Sequence, residues 1–350
     1  MKRDVPRRRQ LTTEDYFAGV RNCDITVLPR ALTLIESNNA EHQRQAEMLL
    51  TRLLPHTGNA IRVGISGAPG VGKSTFIEAL GLQLIAQGRR VAVLAVDPSS
   101  GISGGSILGD KTRMSRLAAE PNAYIRPSPS AGTLGGVASK TRESLLVCEA
   151  AGYEVVLVET VGVGQSETMV AEMTDCFLAL MLPGAGDDLQ GIKRGLLELV
   201  DVIAVNKADS ATLKAAELAA HQYEMAIHSI LGKQDHPPQV LTCSALHDER
   251  VDAVWQAVEQ RYSAMKSSGD LAAKRRRQQV RWLWAIIEDR MKQALRKHPG
   301  VRRIREGLES EVLAGNLPPE AAASKILQAF GMHEPCGVSL RPDGKRTAVT

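Results

Sequence analysis

Residues 60–96 read AIRVGISGAPGVGKSTFIEALGLQLIAQGRRVAVLAV. Ile61, Val63 and Ile65 recur at the two-residue period of a strand. A glycine-rich turn follows. From Lys73 to Gln87, Phe76, Ile77, Leu80 and Leu84 fall on one helical face, and Gly88 stands where a helix C-cap belongs. Val91 to Val96 has no polar residue, as expected of a strand covered on both faces. Strand, helix and strand in this order form a βαβ unit.

The turn itself, Gly67-Ala68-Pro69-Gly70-Val71-Gly72-Lys73-Ser74, fits GxxxxGK[ST] between a strand and a helix, and so predicts a phosphate-binding loop. Gly70 and Gly72 let backbone N–H groups converge on phosphate oxygens without a Cβ in the way. The helix N-terminus adds favourable dipole charge. Lys73 is expected to neutralise the β- and γ-phosphates and the Ser74 hydroxyl to bind Mg²⁺, with Thr75 completing the contact set.

Working outward, the alternation continues. Strands are expected at 124–127, 154–158, 177–182, 202–205 and 240–243. Helices are expected at 140–151, 167–173, 192–199, 213–230 and 251–265. This predicts an α/β fold: a P-loop NTPase with a doubly wound, mostly parallel sheet. Residues 1–56 read as an N-terminal helical extension, closed by the breaker cluster Pro55 to Gly58. The nucleotide domain is expected to span 57–266 and a C-terminal helical region 267–331. That region opens with one long helix, Leu271 to Lys297, which is basic from Lys274 onward. Its apolar stripe of Trp282, Ile286, Ile287 and Met291 predicts a homodimer contact. Residues 332–350 show no periodicity and are expected to be a flexible tail.

A second motif, Asn206-Lys207-Ala208-Asp209, directly follows the strand VIAV. An aspartate there can accept two hydrogen bonds from the N1–H and exocyclic amine of guanine. Adenine offers a donor at neither position, and sites built on such bonds discriminate by on the order of 10⁴. Ser244-Ala245-Leu246, after the last strand, could bring a backbone N–H to the guanine O6. GTP or GDP is therefore the expected ligand.

A third motif is Glu159-Thr160-Val161-Gly162-Val163-Gly164-Gln165. Glu159 can hold the Mg²⁺ shell, directly or through water, and the Gly162 N–H can meet a γ-phosphate. Gln165 either orients water or is a polar loop residue. A fourth is Asp97-Pro98-Ser99-Ser100, followed by a glycine-rich run to Asp110. Ligands of open α/β sheets lie outside the carboxyl ends of the strands. Asp97 and Asp110 are thus expected to join Ser74 around Mg²⁺, with Asp97 as a turn former the alternative.

The chain has 350 residues, a formal net charge of +4 and only 3% aromatic residues. That composition speaks against a stacking platform for single-stranded nucleic acid. Five scattered cysteines without a CxxC pair speak against a disulfide framework or a zinc site and fit a cytoplasmic location. No apolar run is long enough to span a bilayer, so no membrane partner is expected. MKRDVPRRRQ is basic but no apolar segment follows, so no secretory signal is expected. Histidines 228, 236 and 247 lack ligand spacing and read as surface residues.

GAPGVGKST, VDPSS, GDKTRM, ETVGVGQSE and NKAD, in this order, resemble the ArgK/MeaB family of P-loop GTPases over about residues 10–330. The resemblance implies a homodimer joined through its C-terminal helices. It implies slow GTP hydrolysis, stimulated by methylmalonyl-CoA mutase. It further implies a chaperone that assists adenosylcobalamin loading, protection and reactivation of that mutase. Mg²⁺ ligands are implied at Ser74, Asp97, Asp110 and Glu159. Lys193, in Gly184 to Lys193, is implied to stabilise the transition state, although from its neighbourhood alone it also reads as a helix-surface residue beside Arg194. Two other classes compete. One is an ATP-dependent kinase linked to amino-acid transport, against which Asp209 argues. The other is a nucleic-acid-binding regulator using the basic helix, against which the ordinary reading of a charge run as a solvated face argues.

Overall fold

The computed structural model describes residues 10–96, 113–127, 134–160, 165–184, 197–232 and 237–332. Seven strands form one parallel sheet: β1 (Ile61–Gly67), β2 (Val91–Val96), β3 (Ala123–Arg126), β4 (Val155–Thr160), β5 (Cys176–Met181), β6 (Val202–Val205) and β7 (Gln239–Thr242). Their order is β3-β2-β4-β1-β5-β6-β7. The chain winds outward from β1 in both directions, which is the doubly wound arrangement. It places the switch point, and the crevice for a ligand, at the carboxyl ends of β1, β4 and β5.

The helices are α1 (Thr13–Arg21), α2 (Leu28–Glu36), α3 (Ala40–Leu53), α4 (Lys73–Ala86), α5 (Ser115–Ala118), α6 (Leu134–Ala150), α7 (Gln165–Ala171), α8 (Leu213–Leu231), α9 (Val251–Ser268), α10 (Asp270–Lys297), α11 (Pro299–Leu313) and α12 (Pro319–Phe330). Strand periodicity sorts the core into two. Val63, Ile65, Val93, Leu157, Leu178 and Ala204 face α4 and α9, together with Phe76, Leu80, Val254 and Trp255. Leu94, Val96, Val156, Val158, Phe177 and Ile203 face the other way, against α6 and α8. Both sheet faces are apolar because both are covered, which is why these strands read as continuous hydrophobic runs.

The expected elements stand with shifted ends. α6 begins at Leu134, six residues before the expected start. β4 runs to Thr160 because its pairing with β2 continues through Ala95↔Glu159 and Val96↔Thr160. Glu159 is therefore a strand residue with a fixed backbone. The expected helix at 192–199 and the tail lie largely outside the described residues.

The N-terminal helices add a layer over α6. Leu28, Leu32, Ile35, Leu49 and Leu53 are buried in the same core as Leu145 and Val147. Thr12 and Asp15 form a capping box at the start of α1. The Arg126 guanidinium pairs with Glu36, and the Lys140 ammonium donates to the Ile35 carbonyl, so the layer is also held by charge.

The chain packs as two units divided after Trp282. In the first, the start of α10 is locked to the foot of β5. Arg275 makes two bonds to the Asp175 carboxylate (2.8 and 2.7 Å) and donates to the Gly58 and Ala60 carbonyls. Asp175 is wholly buried and also accepts from the Arg62 N–H at 2.9 Å. Gln278 donates to the Thr174 carbonyl at 2.8 Å. Trp282, expected in the dimer stripe, is half-buried with the Arg142 guanidinium over its ring. In the second unit α11 and α12 pack together, with Val301 and Ala322 buried and Pro299 at the first turn of α11, where its missing N–H is not needed.

Asp175→Ala is expected to destabilise the chain by about 3–5 kcal/mol in urea denaturation, because it strands the Arg275 charge. Asp175→Asn keeps an acceptor and should lose less.

Candidate functional site

The phosphate loop is shaped by close approach. At Gly67 (φ +152°) a Cβ would lie 2.3 Å from the Leu180 carbonyl oxygen, so only glycine lets β1 leave the sheet beside β5. At Gly72 (φ +97°) a Cβ would meet Asn206 Nδ2 at 2.7 Å. Val71 between them is fully buried and anchors the loop, while Ala68, Pro69 and Gly70 are exposed at its crown. α4 starts with no side-chain cap and no acid in its first turn. Its leading N–H groups and positive dipole end thus face the loop without an acid of the helix's own first turn beside them.

Lys73 is buried and folds back on its own loop, donating to the Gly67 and Ala68 carbonyls at 2.8 and 3.2 Å. Burial lowers its pKa from the usual lysine value; the carboxylates of Glu159 and Glu167 oppose that shift, and Arg113 adds to it. An anion with several charges is the partner such a cation lacks. Ser74 Oγ donates to Glu159 Oε1 at 3.0 Å. A strand residue and the second residue of α4 thus put two hard oxygen donors side by side. Among the described residues no cluster of three or more metal-ligating side chains forms by itself. Asp97, Asp110 and Lys193 lie outside the described residues. Gln165 is the first residue of α7, and its side chain lies outside them as well.

The second motif meets the first through Asn206. Its Nδ2 donates to the Val71 carbonyl at 2.8 Å, and its Oδ1 accepts from the Ala245 N–H at 3.0 Å and the Cys243 thiol at 3.7 Å. One buried amide therefore ties the phosphate loop, the β6 turn and the β7 turn together. Lys207 is exposed, with φ +61°, and its carbonyl accepts from Thr212. A left-handed non-glycine residue is a strained one, and such strain gathers at functional sites. Asp209 keeps a partly exposed carboxylate (31%), which accepts from the Ser244 hydroxyl. The N–H groups of Ser244, Ala245 and His247 are taken by Glu249, Asn206 and Ser244 Oγ. Among the described residues that of Leu246 has no acceptor, and its side chain is exposed.

Three contributors escaped sequence reading. Ser66, the residue before the loop, is buried beneath it. Glu167 is the acid of the first turn of α7. His247, read as a surface residue, is exposed but has Nε2 3.9 Å from Asp209. Ser66 and Glu167 could have been flagged by their places within ISGAPGVGKS and ETVGVGQSE. Nothing in the sequence places His247 beside Asp209.

A phosphate loop at a parallel-sheet switch point, joined to an aspartate-bearing turn suited to guanine, defines a P-loop GTPase. Residues 28–300 match the family described as Methylmalonyl Co-A mutase-associated GTPase MeaB, and the chain belongs to that family. The GTPase ArgK of Escherichia coli K12 is 50% identical over 281 residues, 80% of this chain and 85% of its own length. The mouse protein named methylmalonic aciduria type A homolog, mitochondrial, is 41% identical over 334 residues, 92% of this chain and 80% of its own. A crystal structure described as LAO/AO transport system kinase superposes with a TM-score of 0.73 at 38% identity, covering 93% of this chain and 99% of that one.

Gly72→Ala is expected to destabilise the nucleotide-free chain by about 2 kcal/mol, from left-handed strain plus a broken Asn206 bond. Thermal melting without nucleotide measures it.

Proposed function

We propose that this GTPase is a Mg²⁺-dependent chaperone of an adenosylcobalamin-dependent methylmalonyl-CoA mutase, assisting cofactor loading, protection and reactivation. The match of residues 28–300 to a family described by its association with that mutase carries this reading. In it the family's GTP hydrolysis is coupled to the partner. A cytoplasmic location belongs to the same reading, supported by the free thiols of Cys148, Cys176 and Cys243. Among the described residues no helix is long and apolar enough to cross a membrane.

The chain's own residues divide the work. Asp209 would accept the N1–H and amine of guanine, with Ser244 orienting its carboxylate. The Leu246 N–H would meet the base carbonyl. Lys73 would exchange the Gly67 and Ala68 carbonyls for β- and γ-phosphate oxygens, regaining the counter-charge that burial denies it. Ser74 and Glu159, paired at 3.0 Å, are both oxygen donors of the kind Mg²⁺ takes, so the residues present fit the ion. Asp97 and Asp110 would complete its shell. When bound, the ion would neutralise charge on the transferring phosphoryl oxygens. Lys193 would add a cation to the same charge, and Gln165 would orient the attacking water.

The description of the structural neighbour as a transport-system kinase favours one other reading, transfer of the γ-phosphoryl group to an acceptor other than water. Release of inorganic phosphate equal to the GTP consumed would exclude it.

Asp209→Asn should weaken GTP binding by about 1.5–3 kcal/mol and favour xanthosine triphosphate, since an amide can donate to the carbonyl that replaces guanine's amine. Calorimetry with both nucleotides tests this; unchanged GTP affinity would remove the base-recognition assignment. Stimulation of GTP hydrolysis by the purified mutase tests the partner.

The dimer is part of the proposal. On α10, Leu283, Trp284 and Met291 are more than half exposed and, with half-buried Ile287, share one face. A second copy meeting this face would bury it by two-fold symmetry. Full-length protein should scatter light as a dimer, and Trp284→Glu should scatter as a monomer.

A further inference from the structure

Three buried or half-buried polar side chains next to the phosphate loop form a hydrogen-bonded chain whose role is still to be assigned. Ser66, the penultimate residue of β1, is 0% exposed, and Thr160, the last of β4, is 1% exposed. β1 and β4 are neighbours in register, with Ile65 opposite Glu159, so Ser66 and Thr160 follow as the next pair. Thr160 Oγ1 donates to Ser66 Oγ at 3.0 Å, and Ser66 Oγ donates to Glu167 Oε1 at 3.0 Å. A serine hydroxyl has one proton to give, and here it goes to the carboxylate while a lone pair receives the threonine's proton. The chain Thr160 to Ser66 to Glu167 thus runs in one direction and ends on an acceptor-only group.

This relay joins three pieces of the site. Ser66 leads directly into Gly67, whose carbonyl holds Lys73. Thr160 follows Glu159, which receives the Ser74 hydroxyl. Glu167 stands in the first turn of α7. Two successive residues of β4 therefore reach across to the phosphate loop, one at Ser74 and one at Ser66. In an apolar interior a hydrogen-bonded hydroxyl has no competing water, so the contact fixes position more firmly than the same bond at a surface.

We propose that Ser66 and Glu167 are positioning residues for GTP hydrolysis: the relay holds the end of β4, and with it Glu159, in place opposite Ser74. The proposal rests on the reading of Glu159 as a metal-side carboxylate. Neither Ser66 nor Glu167 contacts nucleotide in this account; they act through Glu159 and the loop entry. Interactions of this kind matter most where the transferring group needs its charge partners in one geometry, and they affect turnover more than ground-state binding.

The experiment measures single-turnover GTP hydrolysis and GTP affinity on full-length protein, with melting temperature as a folding control. Glu167→Ala removes the acceptor and is expected to slow hydrolysis about tenfold, with GTP affinity within about twofold of wild type. Glu167→Gln keeps a carbonyl that accepts from Ser66 and should stay within about threefold of wild type. Ser66→Ala, which breaks both bonds, should resemble Glu167→Ala. Wild-type hydrolysis by Glu167→Ala would overturn the proposal. So would equal losses in Glu167→Ala and Glu167→Gln, which would make charge rather than position the active property. A fall in GTP affinity matching the fall in rate would overturn it too. Glu159→Ala separates the two readings. If it hydrolyses GTP at the wild-type rate, the role of Glu159 and the relay fall together. If it is inactive while Glu167→Ala is normal, the relay alone falls.

Discussion

The amide of Asn206 is the contact on which the nucleotide site depends. Three loops leave the sheet at the ends of β1, β6 and β7, and each arrives from a different part of the chain. Asn206 gives a proton to the Val71 carbonyl and takes one from the Ala245 N–H. A primary amide carries a donor and an acceptor fixed in one plane, and in a buried setting both halves must be satisfied. The glycine at 72 follows from it, because any Cβ there would occupy the space of the amide nitrogen. The phosphate loop and the turns after β6 and β7 are thereby built as one object.

The far end of the sheet is organised by a second buried polar group. Asp175 collects the Arg62 N–H and the Nε and one Nη of Arg275, and so docks the beginning of α10 against the foot of β5. The last residues before β5 belong to the same stretch of chain as α7, whose first turn carries Glu167. α7 is thus bounded at its head by the Ser66 contact and followed at its foot by residues that α10 holds.

Lys73 shows why the loop is primed rather than merely complementary. Its ammonium sits in a poorly solvated position and makes do with two carbonyls of its own loop. Burial lowers its affinity for the proton, and the two nearby carboxylates only partly offset this. A triphosphate would supply what the folded chain lacks, so part of the cost of burying the charge is already met before binding.

The sequence alone determined the fold class and the GTPase family. Apolar runs such as VAVLAV and EVVLV, with helical patterns between them, admit few arrangements other than a covered parallel sheet. GAPGVGKS and NKAD are legible because backbone geometry and hydrogen-bond valence restrict the residue types such turns can use. Tertiary structure decided what sequence distance conceals. Ser66 and Thr160 are 94 positions apart and meet only because β1 and β4 pair in one register. Asn206 meets Val71 across 135 positions, and Arg275 meets Asp175 across 100. Trp282, apolar by type and expected at a dimer face, is half-buried with the Arg142 guanidinium over its ring. Periodicity reports which face of an element is apolar, but the partner of that face is chosen by packing. A polar residue has no period at all, so its role appears only once the chain has brought its partner within 3 Å.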